Sequence, residues 1–380
     1  MKLSDYRGQI DQADKQLLEA FVQRMRVSED IAGYKAQQKL PVFDPARERD
    51  KLAALKDLVP DDLLSDSERL YQLLFELSRM RQRRLSQGES PLQAQIRQAL
   101  ANTPQQFPER PLVALQGVEG AFSQRAAEKL FAKPGLMFFD SFEGVFRAVD
   151  QGLCRFGVLP LENSTAGSVN RIYDLMMHYQ VSVVRSTRLK VDHCLLALPG
   201  ATLSGIKEVV SHEQALQQSE GFLKSLGNIK VTVCENTAMA AKMVFESGRQ
   251  DLAALSSRSC AELYNLNVLQ ASVQDSASNF TRFICTSKKL EIYPGADKTS
   301  VMMVLPHRPG SLYNVLGRFY ALGINLIKLE SRPLAGSDFE FMFYFDLETS
   351  VYAPEFMRMF DEIEGMALSF QYLGSYSEAV

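Results

Sequence analysis

Three cations lie on the stripe of the first predicted helix that should be buried. Alternating steps of three and four residues place Arg7, Arg24 and Lys35 on one seam, a spacing typical of packed helices. Leu17 and Phe21 lie on the same seam. A buried cation must be paired or hydrogen-bonded, because removing an unpaired charge from water is costly. The cations therefore predict either internal salt bridges and snorkelling side chains, or a pocket that binds an anion.

Polar residues on the next two predicted helices fit the anion pocket. Asp44 and Glu48 are four residues apart, with Arg47 beside them. Ser78 and Gln82 are likewise four apart on the third helix. Residues with this spacing share a helix face, so packing of the helices would form a polar pocket with many hydrogen-bond donors and one or two carboxylates. Such a pocket suits a small dianion that carries hydroxyl and ether oxygens.

Three helices at the start of the chain must position these groups. The first is predicted over residues 4–38, far longer than the average globular helix of about 11 residues. It needs a partner along its length, most simply a second copy of itself. Asp44-Pro45 predicts the N-cap and first position of a second helix that ends before Pro60. The third helix is predicted over residues 66–85.

The pattern of the sequence changes twice after this all-α helical domain, which we expect to span residues 1–90 of a multidomain chain. A linker is predicted over residues 91–110, with a short helical stretch in it. Apolar strands then alternate with helices over residues 111–287, which predicts a two-lobed α/β domain with largely parallel sheets and a cleft. Residues 298–380 have the βαββαβ order of an α+β, ferredoxin-like domain.

Composition and residue spacing argue against several classes of protein and of site. The 380 residues carry a net charge of -3, which gives no reason to expect nucleic acid or a membrane surface as a partner. No signal peptide or apolar run of ~18 residues is present, so we expect a cytoplasmic protein. The cysteine and histidine spacings predict neither disulfides nor a metal site. His193 and His212 could line a pocket, although a structural role is the simpler interpretation.

The helical segment from Arg7 through "RERD" to Gln82 resembles the all-helical chorismate mutase domain. The resemblance implies an intertwined dimer in which Arg7 reaches the partner's pocket. It also implies that Arg24, Arg47 and Ser78 hold the carboxylates of the substrate.

The same resemblance implies roles for the remaining polar groups of the pocket. Lys35 and Gln82 would hydrogen-bond the ether oxygen of chorismate, while Asp44 and Glu48 would orient its hydroxyl end. The rearrangement of chorismate to prephenate is pericyclic, so it needs no nucleophile and no cofactor. The protein has only to hold a reactive conformer and stabilise charge on the breaking C–O bond.

Residues 111–285 resemble prephenate dehydratase. The matching segments, each weak alone but specific in this order, are "GVEGAFSQRAA", "LPLENSTAGSV", "DHCLL", "SHEQALQQ", "ENTAMAA" and "NFTRF". Val118 departs from the proline that the family usually carries in the first glycine turn, which makes that loop less rigid but removes no polar group. The resemblance implies a two-lobed, periplasmic-binding-like α/β fold.

Prephenate must lose carbon dioxide and its ring hydroxyl together, and the hydroxide needs a donor beside it as it leaves. The resemblance assigns that role to Thr281, with Arg282 following it as a substrate-binding residue. We expect Asn163, Ser164 and Thr165 at a helix N-terminus, where backbone N–H groups either bind a substrate carboxylate or are simply capped.

Residues 298–380 resemble an ACT domain, the amino-acid-sensing module found at the end of this enzyme family. "RPGSL" and "ESRP" are its expected ligand-binding segments, because glycine lets the backbone approach a ligand closely. Turn chemistry alone is the alternative. The expected allosteric residues are Gly310, Ser311, Leu312, Glu330, Ser331 and Arg332.

These resemblances predict a bifunctional enzyme that converts chorismate to prephenate and then to phenylpyruvate, with feedback inhibition by phenylalanine. No cofactor or metal is implied, and a homodimer or higher oligomer is expected. Two alternatives stay open: a dehydratase that prefers arogenate, and a two-lobed small-molecule sensor without activity.

Overall fold

The computed structural model describes residues 2–86, 90–334 and 340–379, which form two compact units. One comprises Met1–Ala94 with Met357–Gly365, and the other Gln95–Phe356 with Met366–Val380. Among the described residues, no helix combines the length and apolar character that crossing a membrane requires.

The helices and strands are numbered in chain order. The helices are α1 (Leu3–Gln38), α2 (Pro45–Ala53), α3 (Leu64–Ser86), α4 (Pro91–Asn102), α5 (Phe122–Leu130), α6 (Phe142–Asp150), α7 (Asn170–His178), α8 (Glu213–Gln217), α9 (Glu220–Ser225), α10 (Thr237–Ser247), α11 (Arg258–Leu263), α12 (Ser311–Ala321) and α13 (Pro354–Ile363). The strands are β1 (Leu112–Gln116), β2 (Gly135–Phe139), β3 (Phe156–Asn163), β4 (Gly167–Ser168), β5 (Ser182–Lys190), β6 (Cys194–Ala197), β7 (Glu208–Ser211), β8 (Lys230–Val233), β9 (Leu252–Ser256), β10 (Asn267–Gln270), β11 (Phe280–Ser287), β12 (Lys298–Val304), β13 (Asn325–Pro333), β14 (Phe341–Glu348), β15 (Ser369–Tyr376) and β16 (Glu378–Ala379).

The first three helices form as the sequence predicts. The single long helix α1 covers 36 residues. Asp44 caps α2 by accepting the backbone N–H of Arg47 at 3.0 Å, and Pro45 occupies the first helical position. The predicted linker 91–110 contains α4, and within α4 Ile96 is fully buried.

The α/β region has two lobes, as predicted, but its sheets are mixed rather than largely parallel. In the first sheet β1 pairs in parallel with β2 and β3, whereas β11 runs antiparallel between β3 and β5. In the second sheet β7 is parallel to β8 and β9, whereas β6 is antiparallel to β9 and β10. The prediction was wrong because the chain crosses between the lobes twice, before β6 and before β11, and these crossings reverse the direction of the strands that follow.

The C-terminal segment forms an antiparallel sheet in the order β13-β14-β12-β15, with the βαββαβ succession predicted. It shares a core with the first sheet of the α/β region, because Met302, Tyr344 and Leu373 pack in one cluster with Leu159 and Ile172. Strand β16 also pairs with β5. The two segments therefore support each other's packing.

Candidate active sites

Arg24 of α1 reaches the face of α3. Its guanidinium donates to the carbonyl oxygen of Leu74 at 2.8 Å and to the hydroxyl of Ser78. Ser78 Oγ donates to the same carbonyl oxygen at 2.7 Å and is buried. Burial lowers the pKa of Arg24, although Tyr71 and Glu48 oppose that shift. The structure thus brings together Arg24 and Ser78, which the sequence predicted to share a pocket.

Three further residues predicted for this pocket lie on three different helices. Gln82 of α3 is 7% exposed, and its Oε1 has no hydrogen-bond partner among the described residues. Glu48 of α2 pairs with Arg79 of α3, a residue that the sequence analysis did not single out. Lys35 of α1 donates from Nζ to the carbonyl oxygen of Val42 at 2.6 Å. Glu48 and Lys35 thus have partners within the helical unit, whereas the amide oxygen of Gln82 is buried without one among the described residues.

The remaining three predicted residues are exposed. Asp44 and Arg47 lie at the start of α2, where the carboxylate of Asp44 serves as the helix cap. Arg7 is exposed near the start of α1. Arg24 follows Arg7 by about five helical turns, roughly 25 Å along the axis. Arg7 therefore cannot reach the Arg24 region of its own chain.

A cavity of about 570 Å³ lies between the two lobes of the α/β region. Asn163 and Thr281 line it from the first sheet. His193, from the segment joining the lobes, lines it together with His212 and Gln218. This volume is in the range of cavities that bind small molecules.

The amide of Asn163 fixes the direction of the hydrogen bonds in this wall. Its Oδ1 accepts the backbone N–H groups of Thr165 and Ala166 at 3.0 and 2.9 Å, so that atom must be the amide oxygen. Its Nδ2 therefore donates to Asn279 Oδ1 at 2.7 Å and to Thr281 Oγ1 at 2.9 Å. Because the oxygen of Thr281 accepts this bond, its hydroxyl proton is free to point into the cavity.

Three helices begin at the cavity. Ala121 precedes α5, His212 precedes α8 and Asn236 precedes α10, and the starts of all three helices line the wall. The first N–H groups of a helix have no intrahelical partner, and they favour an anion. His212 and Asn236 each accept one of these groups, from Gln214 at 3.2 Å and from Met239 at 2.8 Å, and no side chain caps α5. In the part of the chain that the structure describes, the lining residues include no lysine or arginine. Neutral donors and helix dipoles would therefore hold an anion here.

The "ENSTAG" segment does not begin a helix, contrary to the prediction. β3 runs into a turn, and α7 begins only after β4. The amide of Asn163 satisfies the N–H groups of this turn, so the segment closes on itself instead of starting a helix. Ser164 Oγ donates to the carbonyl oxygen of Ser278 at 2.9 Å, and Thr165 Oγ1 accepts from Gln218 Nε2 at 2.7 Å. Ser164 and Thr165 support the wall, whereas Asn163 lines it.

Arg282 lies away from the cavity. Successive residues of a strand point to opposite faces, so Thr281 and Phe283 face the cavity while Arg282 faces the C-terminal sheet. Its guanidinium pairs with Asp346 and donates to Tyr376 Oη at 2.8 Å. Burial alone would lower the pKa of Arg282, but Tyr376 and Asp346 raise it, so the group stays charged. This geometry does not support the prediction that Arg282 binds substrate.

His193 and His212, which the sequence analysis named as possible pocket residues, both line the cavity. Gln218 and Asn279 complete the wall and were not predicted as site residues. Asn279 Nδ2 donates to Gln218 Oε1 at 2.9 Å, and His193 Nε2 lies 3.3 Å from the same oxygen. These contacts join residues 61 and 25 positions apart. For Gln218 and Asn279 the sequence signal was their presence in the segments "SHEQALQQ" and "NFTRF".

The segment "RPGSL" lies where the chain leads from β12 into α12, and "ESRP" lies at the end of β13. Gly310 precedes α12 with φ 86°, and Ser311 and Leu312 form the first turn of that helix. A Cβ added at Gly310 would meet no atom within 4 Å, so the positive φ rather than crowding favours glycine there.

Successive side chains of "ESRP" point to opposite faces of β13. Glu330 accepts a hydrogen bond from Ser168, which lines the cavity. Arg332 donates from Nε and Nη2 to Asp174, each at 3.0 Å. Ser331 is exposed. The predicted effector segment is thereby joined to the cavity wall.

Two family models match the chain: chorismate mutase type II over residues 6–83 and prephenate dehydratase over residues 113–291. The chain is 30% identical over 380 residues to the bifunctional chorismate mutase/prephenate dehydratase of Escherichia coli (strain K12), covering 97% of this chain and 95% of that protein. It is 37% identical to arogenate dehydratase/prephenate dehydratase 2 of Arabidopsis thaliana, covering 70% of this chain and 73% of that protein.

A solved structure also matches a large part of the chain. Prephenate dehydratase from Arthrobacter aurescens, in complex with L-Phe, aligns with a TM-score of 0.66 at 27% identity, covering 70% of this chain and 90% of that one. The two family models match the chain in the order that the sequence analysis predicted. The relative from Escherichia coli is similar over nearly the whole chain. The chain belongs to the bifunctional chorismate mutase/prephenate dehydratase family.

Proposed function

We propose that the chain rearranges chorismate to prephenate in its helical unit, converts prephenate to phenylpyruvate in the cavity, and is inhibited by phenylalanine. The observation that carries the proposal is the orientation of Thr281, whose hydroxyl proton Asn163 leaves free to point into a cavity suited to an anion. The arrangement of Arg24 and Ser78 on two helices supports the first activity.

In the helical unit the substrate displaces the contacts that Arg24 makes with α3. Arg24 and Ser78 hold a carboxylate, and Lys35 and Gln82 hydrogen-bond the ether oxygen. Glu48 orients the hydroxyl end of the substrate. Fixed donors at the breaking C–O bond stabilise the charge that develops there without reorganising.

A second copy of the chain completes this site. Ile10, Leu17 and Val22 of α1 are 60%, 58% and 46% exposed, so the long helix leaves apolar side chains in water. A helix of this length is stable when a partner covers such a face. The partner also supplies Arg7, which is about five turns from the Arg24 of its own chain.

In the cavity the difficult event is loss of the ring hydroxyl. Breaking the C–C bond to carbon dioxide sends its electron pair into the ring, and the C–O bond breaks with its pair on oxygen. Thr281 donates a hydrogen bond to the departing oxygen, which leaves as hydroxide stabilised by that bond and then takes a proton from the solvent to become water. Asn163 keeps the threonine proton directed at the substrate, and the helix N-termini bind the carboxylates.

Phenylalanine binds the C-terminal sheet at the "RPGSL" and "ESRP" segments. Lys328 Nζ donates to Ser168 Oγ at 2.9 Å and to Glu162 Oε2 at 2.6 Å, while Glu330 accepts from Ser168. A ligand that moves β13 therefore moves Ser168 in the cavity wall. Inhibition follows if phenylalanine binds better to the arrangement in which this wall is displaced.

The experiment that tests the proposal uses the full chain with chorismate, and follows both prephenate and phenylpyruvate. Thr281→Val keeps the side-chain shape but removes the donor, so dehydration should fall by roughly 100- to 1,000-fold while mutase turnover continues and prephenate accumulates. Thr202→Val, at an exposed position, is the control. Unchanged dehydration in Thr281→Val, or equal loss of both reactions, contradicts the assignment. Absence of turnover in the unmodified chain would favour a sensor.

Arogenate, the aminated analogue of prephenate, is a second candidate substrate. The Arabidopsis relative carries both dehydratase names, which supports testing both compounds. A competition assay with equal concentrations gives the ratio of the two kcat/KM values directly. A ratio that favours arogenate would reassign the second reaction but leave the first unchanged.

A further inference from the structure

His193 lines the cavity and has one ring nitrogen without a hydrogen-bond partner among the described residues. The residue lies between β5 and β6, is 2% exposed and lines the cavity. Its Nδ1 is buried without a hydrogen-bond partner among the described residues. Its backbone N–H donates to Gln274 Oε1 at 2.9 Å, and its ring meets Phe122 edge to face at 6.0 Å between centroids. The ring is therefore held in place while one polar atom stays available.

The hydrogen-bond directions in the wall identify the tautomer. Asn163 donates to Asn279 Oδ1, so Asn279 must donate through its Nδ2 to Gln218 Oε1. That oxygen lies 3.3 Å from His193 Nε2, which must then carry the proton. Burial lowers the pKa of His193, although Gln218 and Asp192 oppose the shift, and a neutral ring results. Nδ1 is thus a hydrogen-bond acceptor.

A ligand that pairs with His193 Nδ1 must supply a hydrogen-bond donor. At neutral pH the carboxylates and ketone of prephenate only accept hydrogen bonds, and its ring hydroxyl is its one donor. His212, the other cavity histidine, already uses its Nδ1 to accept the N–H of Gln214 at 3.2 Å. Glu235 also lines the cavity, but its side chain is exposed, whereas that of His193 is buried.

We propose that His193 Nδ1 accepts the hydrogen bond of the substrate's ring hydroxyl and so distinguishes substrate from product. The inference rests on the proposed dehydratase function. Phenylpyruvate lacks this hydroxyl, so the contact exists before the reaction and disappears with it. His193 would then hold the hydroxyl that leaves and contribute nothing to retention of the product.

The test compares the binding of prephenate and phenylpyruvate by calorimetry, in the full-length Thr281→Val background, in which dehydration should be roughly 100- to 1,000-fold slower. His193→Leu removes the acceptor and should weaken prephenate binding about tenfold, the loss of roughly 1.4 kcal/mol, while phenylpyruvate binding stays within about twofold. His193→Asn should recover part of the loss, because its amide oxygen can accept the same bond. His178→Leu, at an exposed position on α7, should change neither affinity.

Equal weakening of both ligands by His193→Leu would mean a structural role and overturn the inference, as would no change in either. Failure of the unmodified chain to dehydrate supplied prephenate would instead overturn the dehydratase function itself. A measurement that does not depend on folding of the His193 variants uses the same parent labelled with 15N-histidine. Prephenate, but not phenylpyruvate, should shift an unprotonated ring nitrogen, and absence of this difference overturns the inference.

Discussion

Replacing Arg282 by methionine should destabilise the second unit without changing substrate affinity. The guanidinium of Arg282 and the carboxylate of Asp346 are 3% and 1% exposed, and they pair across the boundary between β11 and the C-terminal sheet. Methionine has a similar length and no charge, so the variant leaves Asp346 in a buried position without its counterion. Leaving one partner of a buried pair uncompensated is far costlier than losing a surface pair.

The structure sets the size of the effect. Breaking a buried ion pair typically costs about 3–5 kcal/mol. Asp346 Oδ1 would keep the hydroxyl donors of Ser300, Tyr344 and Tyr376, so we expect the lower end, about 3 kcal/mol. Adding Asp346→Asn to the methionine variant removes the stranded charge and should recover part of this loss.

The assay is urea unfolding followed by circular dichroism, because the chain contains no tryptophan, together with KM for prephenate. Arg171→Met is the matched control: Arg171 is 59% exposed and pairs with Glu143, and its loss should cost under ~1 kcal/mol. A normal unfolding midpoint in Arg282→Met with a raised KM would refute this reasoning and return Arg282 to the substrate site.

Four other outcomes are expected. Lys35→Ala should stop mutase turnover, by roughly 3 kcal/mol or more in activation free energy, while supplied prephenate is still dehydrated; loss of both would contradict separate sites. Mixed dimers of Arg7→Ala and Lys35→Ala subunits should regain some mutase activity, and verified heterodimers without recovery would place Arg7 outside the partner's site. Burial alone would raise the pKa of Glu162, but Lys328 and Arg282 outweigh it and hold the pKa below its ordinary value. The contribution of this lowered pKa to the stability of the fold is complete above about pH 4.3 and is lost as the pH falls through the lowered pKa. Lys328→Met should therefore flatten the acid side of a plot of unfolding free energy against pH. Ser168→Ala should weaken inhibition by phenylalanine with little loss of uninhibited turnover, and an unchanged inhibition curve would exclude Ser168 from the coupling.

Local chemistry made the helical unit predictable. The seam from Arg7 to Lys35 gives the length of α1, and Asp44 with Pro45 marks the start of α2, because caps and periodicity act within a few residues. Glu48 and Arg79 pair between two helices, and no periodic pattern in the sequence predicts this pair.

The face of Arg282 could have been predicted, since strand alternation separates it from Thr281. The polar wall could not. His193 and Asn279 lie in the two segments that join the lobes, and Gln218 follows α8, so the three residues come from distant parts of the chain and meet only in the folded domain. The mixed strand directions within the sheets were unpredictable for the same reason, because the sequence of a short apolar strand does not indicate which strand it will pair with.

The absence of lysine and arginine among the described lining residues of the cavity bears on ionic strength. Dissolved salt screens exposed formal charges over about 8–10 Å, whereas short hydrogen bonds from fixed N–H groups depend on it little. If each site works as proposed, added salt should weaken capture of chorismate by the cationic helical site more than capture of prephenate by the cavity. The steady concentration of prephenate during the coupled reaction should then fall as salt rises, because the step that forms it slows first.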